Sequence, residues 1–409
     1  MSPPKVVLAY SGGLDTSVAI PWLRETKGLD VVTFTADVGQ PIDLEQVRAK
    51  ALQSGAVEAR ILDLRKEFAE GFLLPALRVN ALYEGVYPLS TALARPLIGQ
   101  HLVAVAREVG ATHVAHGCTG KGNDQVRFDL CTTSLAPDLR VIAPAREWKM
   151  TREDEVAYAS RHGIPVAATR ASPFSTDENL WGRSIECGPL EDPALEPPEE
   201  VFDWTRSPES APATAERVEI EFVAGRPVAV DGKTLPFHEL VLELNRRAGA
   251  HGFGRIDHVE SRVVGIKSRE VYECPAALTL IRAHQALEGL VLPRDLLEFK
   301  RGIERRYAEL VYDGLWFTPL RSALDAFALE TQHRVTGSVT IKLYRGSATV
   351  VGRDSPYSLY RPELATYSSG DRFRPEMAEG FIYVWGLPAR TWGATSVRPP
   401  PSPAAGDSI

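Results

Sequence analysis

The 409-residue chain has only four cysteines, and Cys118, Cys131, Cys187 and Cys274 lie too far apart in sequence to form a C-x-x-C pair. That argues against a zinc knuckle or a disulfide framework as the organising device, and the thiols read as reduced and structural. Positive charge is not in excess either: 46 Lys and Arg stand against 53 Asp and Glu, a net charge of -7. Proteins that track a phosphate backbone need a basic face, so no nucleic-acid partner is expected and small-molecule chemistry is favoured. Long apolar runs are missing. The first, Val6 to Tyr10, passes directly into Ser-Gly-Gly and is too short for a signal core or a membrane span. A cytoplasmic protein with no membrane partner is therefore expected. No internal repeat of solenoid length is present.

What is present is a globular composition, with 44% hydrophobic and 24% charged residues, at a length that calls for more than one domain. From Lys5 to about Val166, short Val/Ile/Leu/Ala runs alternate with amphipathic stretches at helical spacing, the pattern of βα units on a parallel sheet. Strands are expected at Lys5–Tyr10, Asp30–Asp37, Glu58–Leu62, His113–His116 and Leu139–Ile142, with helices beginning near Asp15, Asp43, Lys66, Thr91 and Thr151. Beyond Ala168 a polar, proline-punctuated stretch precedes strands at Glu216–Val223 and His258–Gly265 and a hairpin near Thr336–Val351 that turns at Arg345-Gly346-Ser347. The part from Glu191 to Pro212 reads as an exposed crossing segment. Phe373, Met377, Phe381 and Val384 recur at helical spacing and predict a terminal helix from about Asp371 to Val384. Such a helix, leaving its own domain, suits packing on a neighbouring subunit. The expected architecture is α/β: a doubly wound parallel-sheet, nucleotide-binding domain over residues 1–170, an α+β domain over 171–365, a C-terminal oligomerisation helix within 366–395 and a disordered Pro/Ser/Ala tail over 396–409.

The first βα turn is Ala9-Tyr10-Ser11-Gly12-Gly13-Leu14-Asp15-Thr16-Ser17. Unpaired amides at a helix start, reinforced by the helix dipole, point at any anion held in the turn. Paired glycines let backbone approach phosphate oxygens, Ser11, Thr16 and Ser17 add hydroxyls, and Asp15 can cap the helix or hold a Mg²⁺. No G-x-x-x-x-G-K-[ST] occurs, so this is not a Walker A loop. Pro21 forfeits a hydrogen bond inside the following helix and predicts a local bend there. Ala36, at the end of the second strand, is well placed for the adenine or ribose of a nucleotide, while a strand end with no ligand reads equally well from this stretch alone.

A second polar loop follows a later strand: His116-Gly117-Cys118-Thr119-Gly120-Lys121-Gly122-Asn123-Asp124-Gln125-Val126-Arg127. Asp124 and Arg127 stand three apart, on one face of a helix, and such a pair suits a zwitterion, the acid for an ammonium and the guanidinium for a carboxylate. By itself the segment reads more readily as a glycine-rich surface turn followed by an ion pair on a solvated face.

Taken together the motifs resemble those of the argininosuccinate synthase family, within the ATP-pyrophosphatase class. The resemblance rests on residues 9–17, Ala-Asp-Val-Gly-Gln at 36–40, Ala-Leu-Tyr-Glu at 81–84, Leu-Ala-Arg-Pro at 93–96 and Thr-Gly-Lys-Gly-Asn-Asp-Gln-Val-Arg-Phe at 119–128. It continues through Glu-Asn-Leu-Trp at 178–181, Ser-Ile-Glu-Cys-Gly-Pro-Leu-Glu-Asp-Pro at 184–193, Gly-Arg-Ile-Asp at 254–257 and Lys-Ser-Arg-Glu-Val-Tyr-Glu at 267–273, and covers roughly residues 5 to 393. It implies an ATP-dependent carbon–nitrogen ligase that activates L-citrulline as citrullyl-AMP, releases pyrophosphate and joins L-aspartate. Mg²⁺ would accompany ATP, no prosthetic group is implied, and the assembly would be a homotetramer.

The same resemblance implies that Ala9, Tyr10, Ser11, Gly12, Gly13, Leu14, Asp15, Thr16 and Ser17, with Ala36 and Gly117, bind ATP. Thr119, Asn123 and Asp124 would contact aspartate. Tyr87, Thr91, Asn123, Arg127, Ser175, Ser184, Glu260 and Tyr272 would contact citrulline, Arg127 meeting the carboxylate and Glu260 the ammonium. No general base and no direct metal ligand is implied. The chain departs from the family pattern at Ser90-Thr91-Ala92, where Gly-Thr-Ser is usual, so a serine contact at position 92 is missing and Thr91 is the remaining donor. Cys118 and Cys187 also stand where small residues are usual. Rival readings are another adenylating enzyme with the same loop, such as a tRNA-thiolating or amidotransferase type, and a non-catalytic ATP sensor. The first would want a paired cysteine or a nucleophilic N-terminal cysteine, and the second none of the polar sets at 119–127, 175–184 and 260–272.

Overall fold

The computed structural model describes residues 3–165 and 173–396. Its first five strands are β1 (Lys5–Ala9), β2 (Asp30–Asp37), β3 (Glu58–Asp63), β4 (His113–His116) and β5 (Arg140–Ile142). All pair in parallel, in the order β3-β2-β1-β4-β5. These are the expected strands, within a residue or two. Along β1 the side chains alternate between two cores: Val6 and Leu8 pack with Val18, Ile20 and Leu23 of the helix Leu14–Lys27, while Val7 packs with Leu93, Leu97 and other residues of the helix Ser90–Glu108. Helices on both faces are what a parallel sheet of buried strands requires. Asp43 caps its helix by accepting from Gln46 N, and Thr151 forms a capping box with Asp154. The helix Leu14–Lys27 continues through Pro21.

Two antiparallel sheets follow, where one α+β domain with three strand regions was expected. One has the order β11-β12-β7-β6, from β6 (Ser175–Asn179), β7 (Gly182–Glu186), β11 (Arg255–Ser261) and β12 (Lys267–Glu273). The other has the order β10-β9-β8-β13-β14, from β8 (Glu216–Val223), β9 (Arg226–Val230), β10 (Lys233–Thr234), β13 (Gly337–Tyr344) and β14 (Ser347–Asp354). The strand expected over His258–Gly265 begins earlier and stops at Ser261, because Gly265, at φ 86°, belongs to the turn that returns the chain into β12. The segment Glu191–Pro212 is not wholly exposed. Its second half is fixed by Glu273, a fully buried carboxylate that accepts the backbone N–H groups of Asp203, Trp204 and Thr205.

Residues up to Ser358 form one compact unit, with a core that runs from the parallel sheet into the later helices, and residues from Leu359 form a second. The expected boundary near 170 falls at 166–172, outside the described residues. In the second unit the terminal helix runs Pro375–Trp385 and a further helix follows at Leu387–Ser396. Proline at the first helical position delays the start from the expected Asp371. The tail assigned to 396–409 lies, beyond its first residue, outside the described residues. No helix among the described residues is long and apolar enough to cross a membrane.

Candidate active site

In a sheet ordered 3-2-1-4-5 the strand order reverses between β1 and β4, and the crevice at their carboxyl ends is where ligands bind. Both glycine-rich loops meet there. A Cβ on Gly117 would lie 2.7 Å from Thr16 Cγ2, so the second loop can press on the first only because residue 117 has no side chain. In the first loop Gly12 adopts φ 79°, and its carbonyl accepts from Lys50 Nζ at 2.8 Å. Burial holds the Lys50 ammonium below its ordinary pKa. Ser17 is buried, bonded to Gly13 O at 2.7 Å and to the Tyr10 hydroxyl at 2.9 Å, so it stiffens the turn from behind. Gly13 caps the helix with no side-chain acceptor, which leaves the first amides free for an anion. Asp15 does not cap. Its Oδ1 pairs with Arg152 at 2.8 Å, and its charge adds to burial in raising neighbouring Glu155 to about 7.

A cavity of about 650 Å³ opens from this crevice and is closed on its far side by the β11-β12-β7-β6 sheet. Its lining includes Ala9, Tyr10, Ser11, Gly13, Leu14, Asp15, Thr16, Ala36 and Gly117 of the expected nucleotide set. Asn123, Asp124, Tyr87, Thr91, Arg127, Ser175, Ser184, Glu260 and Tyr272 of the amino-acid sets line it too. Gly12, Ser17 and Thr119 do not, and Thr119 is exposed. Ala92 is fully buried, whereas Thr91 reaches the cavity with its hydroxyl 3.4 Å from Ser184 Oγ.

Strand alternation explains the polar wall. Side chains two apart share a face, and register pairs Asp177 with Ser184 and Ser184 with Tyr272. Hence Ser184 and Glu186, Glu270 and Tyr272, and Glu260 face the cavity, while the edge strand β6 lines it with Ser175, Thr176, Asp177 and Glu178 in succession. Tyr87 stacks on Tyr272 at 4.1 Å, and the Tyr272 hydroxyl donates to Glu260 at 2.6 Å. Asp124, expected to receive an ammonium, already holds Arg95 at 2.8 Å and Arg127 at 2.9 Å. Burial acts to raise its pKa, but the two guanidiniums outweigh that and keep it below the ordinary carboxylate value. Arg95 also pairs with Asp177. Arg127 is 5% exposed, and its Nη2 has no hydrogen-bond partner within the protein.

Sequence reasoning did not assign Arg95, Asp177, Glu186, Arg262, Glu270 or Tyr312, all of which line the cavity. Arg95 belongs to the Leu-Ala-Arg-Pro motif at 93–96, to which the sequence alone assigns no role. Arg262 is flanked by the carboxylates of Glu186 and Glu270, and burial together with the Glu186 charge pushes Glu270 up to about 8. Among the described residues no group of three or more His, Cys, Asp or Glu side chains converges as a metal-ligand set.

A doubly wound sheet with a glycine-rich loop opening a helix at its switch point, facing a wall of hydroxyl, carboxylate and guanidinium groups, is the architecture of a nucleotide-using α/β enzyme. Residues 5–165 match the family described as the arginosuccinate synthase N-terminal HUP domain, and residues 174–392 match the arginosuccinate synthase C-terminal domain. The chain is 60% identical to an argininosuccinate synthase of Synechococcus sp. (strain RCC307), over 96% of this chain and 98% of that protein. It is 58% identical to one of Rubrobacter xylanophilus, over 98% and 97%. It is 57% identical to one of Thermosynechococcus vestitus, over 95% and 97%. The chain belongs to the argininosuccinate synthase family.

Proposed function

We propose that the protein condenses L-citrulline with L-aspartate at the expense of ATP, giving argininosuccinate, AMP and pyrophosphate, the carbon–nitrogen bond-forming step of arginine biosynthesis. The observation that carries this reading is the pairing, in one cavity, of an uncapped helix start with the buried, half-used guanidinium of Arg127. The first suits a polyphosphate and the second a carboxylate.

The ureido oxygen of citrulline attacks the α-phosphorus of ATP. The bond to the β-phosphate oxygen breaks, and pyrophosphate leaves into the amides and hydroxyls of Ser11, Gly13 and Thr16. The amine of aspartate then attacks the activated ureido carbon, the bond to AMP breaks, and the amine loses a proton as the new bond forms. Arg127 receives the citrulline carboxylate, while Glu260, Ser175 and Ser184 receive its ammonium. Asn123 stands beside both amino acids. Because Asp124 is neutralised by Arg95 and Arg127, its role toward aspartate is to hold those guanidiniums for carboxylates as much as to meet an ammonium. Positioning and charge compensation, more than a strong base, are what such a reaction asks of the site.

Mg²⁺ fits the loop as a companion of ATP. Asp15 lines the cavity at the helix start, and a magnesium ion bound to phosphates and waters needs only one or two carboxylates. Asp15 would hold it, and its charge would offset that of the leaving pyrophosphate. We further infer a cytoplasmic homotetramer; of this, the exposed apolar residues of the terminal helix support self-association.

The test uses α-labelled ATP. Labelled AMP and pyrophosphate should form when citrulline is present, and argininosuccinate once aspartate is added. ADP as the product, or turnover indifferent to citrulline, would overturn the assignment.

A further inference from the structure

We propose that Tyr312 is the positioning residue of the citrulline pocket, the group through which Asn123, Arg127 and Glu260 are held in one geometry. The inference rests on the citrulline reading above and adds a residue to it. Tyr312 ends the helix Arg294–Tyr312 and is 1% exposed. Its hydroxyl accepts from Asn123 Nδ2 at 2.8 Å and donates to Glu260 Oε1. Its backbone carbonyl accepts from Arg127 Nε at 3.0 Å, and the Arg127 guanidinium lies over its ring at 4.9 Å. Three pocket residues on two different elements thus converge on one side chain contributed by a third.

The convergence determines what each group has left to offer. Asn123 Oδ1 accepts Val263 N at 2.9 Å, which fixes the amide orientation, and Tyr312 takes one of the two N–H donors, so one remains. Glu260 has a phenol on each oxygen, Tyr312 on one and Tyr272 on the other, which fixes the carboxylate plane while leaving lone pairs for an ammonium. Arg127 is bound at Nε by Tyr312 and at Nη1 by Asp124, so Nη2 is the donor without a partner. The ring of Tyr312 is locked in turn: Tyr83 stacks on it at 3.6 Å with planes 2° apart, and the Tyr83 hydroxyl donates to Ser261 O at 2.7 Å. Two residues on, Gly314 has φ 78°, and a Cβ there would come within 2.9 Å of Arg127 Cα. The backbone after Tyr312 can therefore lie against Arg127 only with glycine at this position.

The variant Tyr312→Phe keeps the ring and removes the hydroxyl. Its citrulline KM should rise at least about tenfold, the scale of one lost hydrogen bond to a charged group, while its ATP KM stays near the wild-type value. In a cycle with Glu260→Gln the two effects should be strongly non-additive, because the hydroxyl acts through that carboxylate; a residue that only supports the fold would give additive effects. If Tyr312→Phe does not fold, a fluorinated tyrosine at 312 preserves the shape and has a more acidic hydroxyl than tyrosine, although burial and the Glu260 carboxylate hold that hydroxyl above the pKa of the free side chain. Its citrulline KM should then climb at a lower pH than that of the natural protein, whose hydroxyl burial and Glu260 hold well above its ordinary value. An unchanged citrulline KM in either folded variant, or additivity in the cycle, would overturn the role of Tyr312. Failure of the unmodified protein to release pyrophosphate with citrulline would instead overturn the underlying function.

Discussion

Arg127 and Asp124 face each other one helical turn apart, with Nη1 of the arginine 2.9 Å from Oδ1 of the aspartate, and Nη2 is left buried with no protein partner. A guanidinium so placed presents a prepared donor, since two of its nitrogens are already fixed by Asp124 and by the Tyr312 carbonyl. Replacing it with lysine keeps the charge and loses the fork. Arg127→Lys should therefore raise the citrulline KM by about tenfold to a hundredfold, with little effect on that for ATP. Steady-state kinetics with each substrate varied in turn checks this, and an unchanged citrulline KM would remove Arg127 from the pocket.

Gly117 offers the complementary probe on the nucleotide side. Its absent Cβ would sit 2.7 Å from Thr16 Cγ2, and Thr16 shares a 3.2 Å contact with Ser11 in the phosphate loop. Gly117→Ala should force Thr16 to turn and disturb that loop, an overpacking cost of about 1–3 kcal/mol felt where the polyphosphate binds. The expected result is a several-fold higher ATP KM with the citrulline KM nearly unchanged. The opposite split would show that the two loops do not meet as described.

These two residues also show which parts of the site could be read from sequence. The phosphate loop was legible because a β-strand, two glycines and a helix start impose the same geometry wherever they occur together. The parallel sheet was legible for a related reason, since strands buried on both faces are written as apolar runs. The polar wall was not. In β6 and β7 the cavity-lining positions are Ser175, Thr176, Asp177, Glu178, Ser184 and Glu186, all polar, and of the other positions in β7 Ile185 alone is a large apolar residue, so the strands read as loop. The strand expected over His258–Gly265 shows the reverse, since Val259 is 47% exposed although it reads as a buried strand residue, and Gly265 makes the turn. Ser175, Ser184, Glu260 and Tyr272 were reached only through the family resemblance. Arg95 and Tyr312 depend on which helices the fold brings to the cavity, which no local pattern encodes.

The carboxyl of Glu270 gives a pH prediction. It is 5% exposed, and burial with the charge of Glu186 moves it from an ordinary 4.5 to about 8. A folded-state pKa above the unfolded one means the native protein holds the extra proton between those values. Its contribution to stability is thus fully present below about 4.5 and is lost as pH rises through about 8. The loss amounts to about 1.4 kcal/mol per unit across the window. Glu270→Gln, which cannot ionise, should flatten the fall of Tm with pH over this range. A variant whose Tm follows the wild-type slope would place the titration elsewhere.

The terminal unit supplies the last prediction. Along the helix Pro375–Trp385 and the residues before it, Phe373, Met377, Phe381 and Val384 are 53%, 58%, 62% and 65% exposed, and Ile382 and Trp385 add to them. Soluble proteins seldom leave such a contiguous apolar patch facing water unless a partner covers it. A second copy of the chain would suit this patch, because a symmetric contact can bury the same apolar patch on both molecules without requiring a charged counterpart. Phe381→Asp and Val384→Asp would each put a carboxylate into that contact, where the desolvation cost is not offset by a cation. Light scattering should find the unmodified chain as a tetramer and the double variant in a smaller state. Citrulline-dependent turnover per chain should persist, because every residue assigned to the pocket lies in the first compact unit. An unmodified protein that is monomeric would end the oligomer reading. A double variant that stays tetrameric would move the interface to another surface.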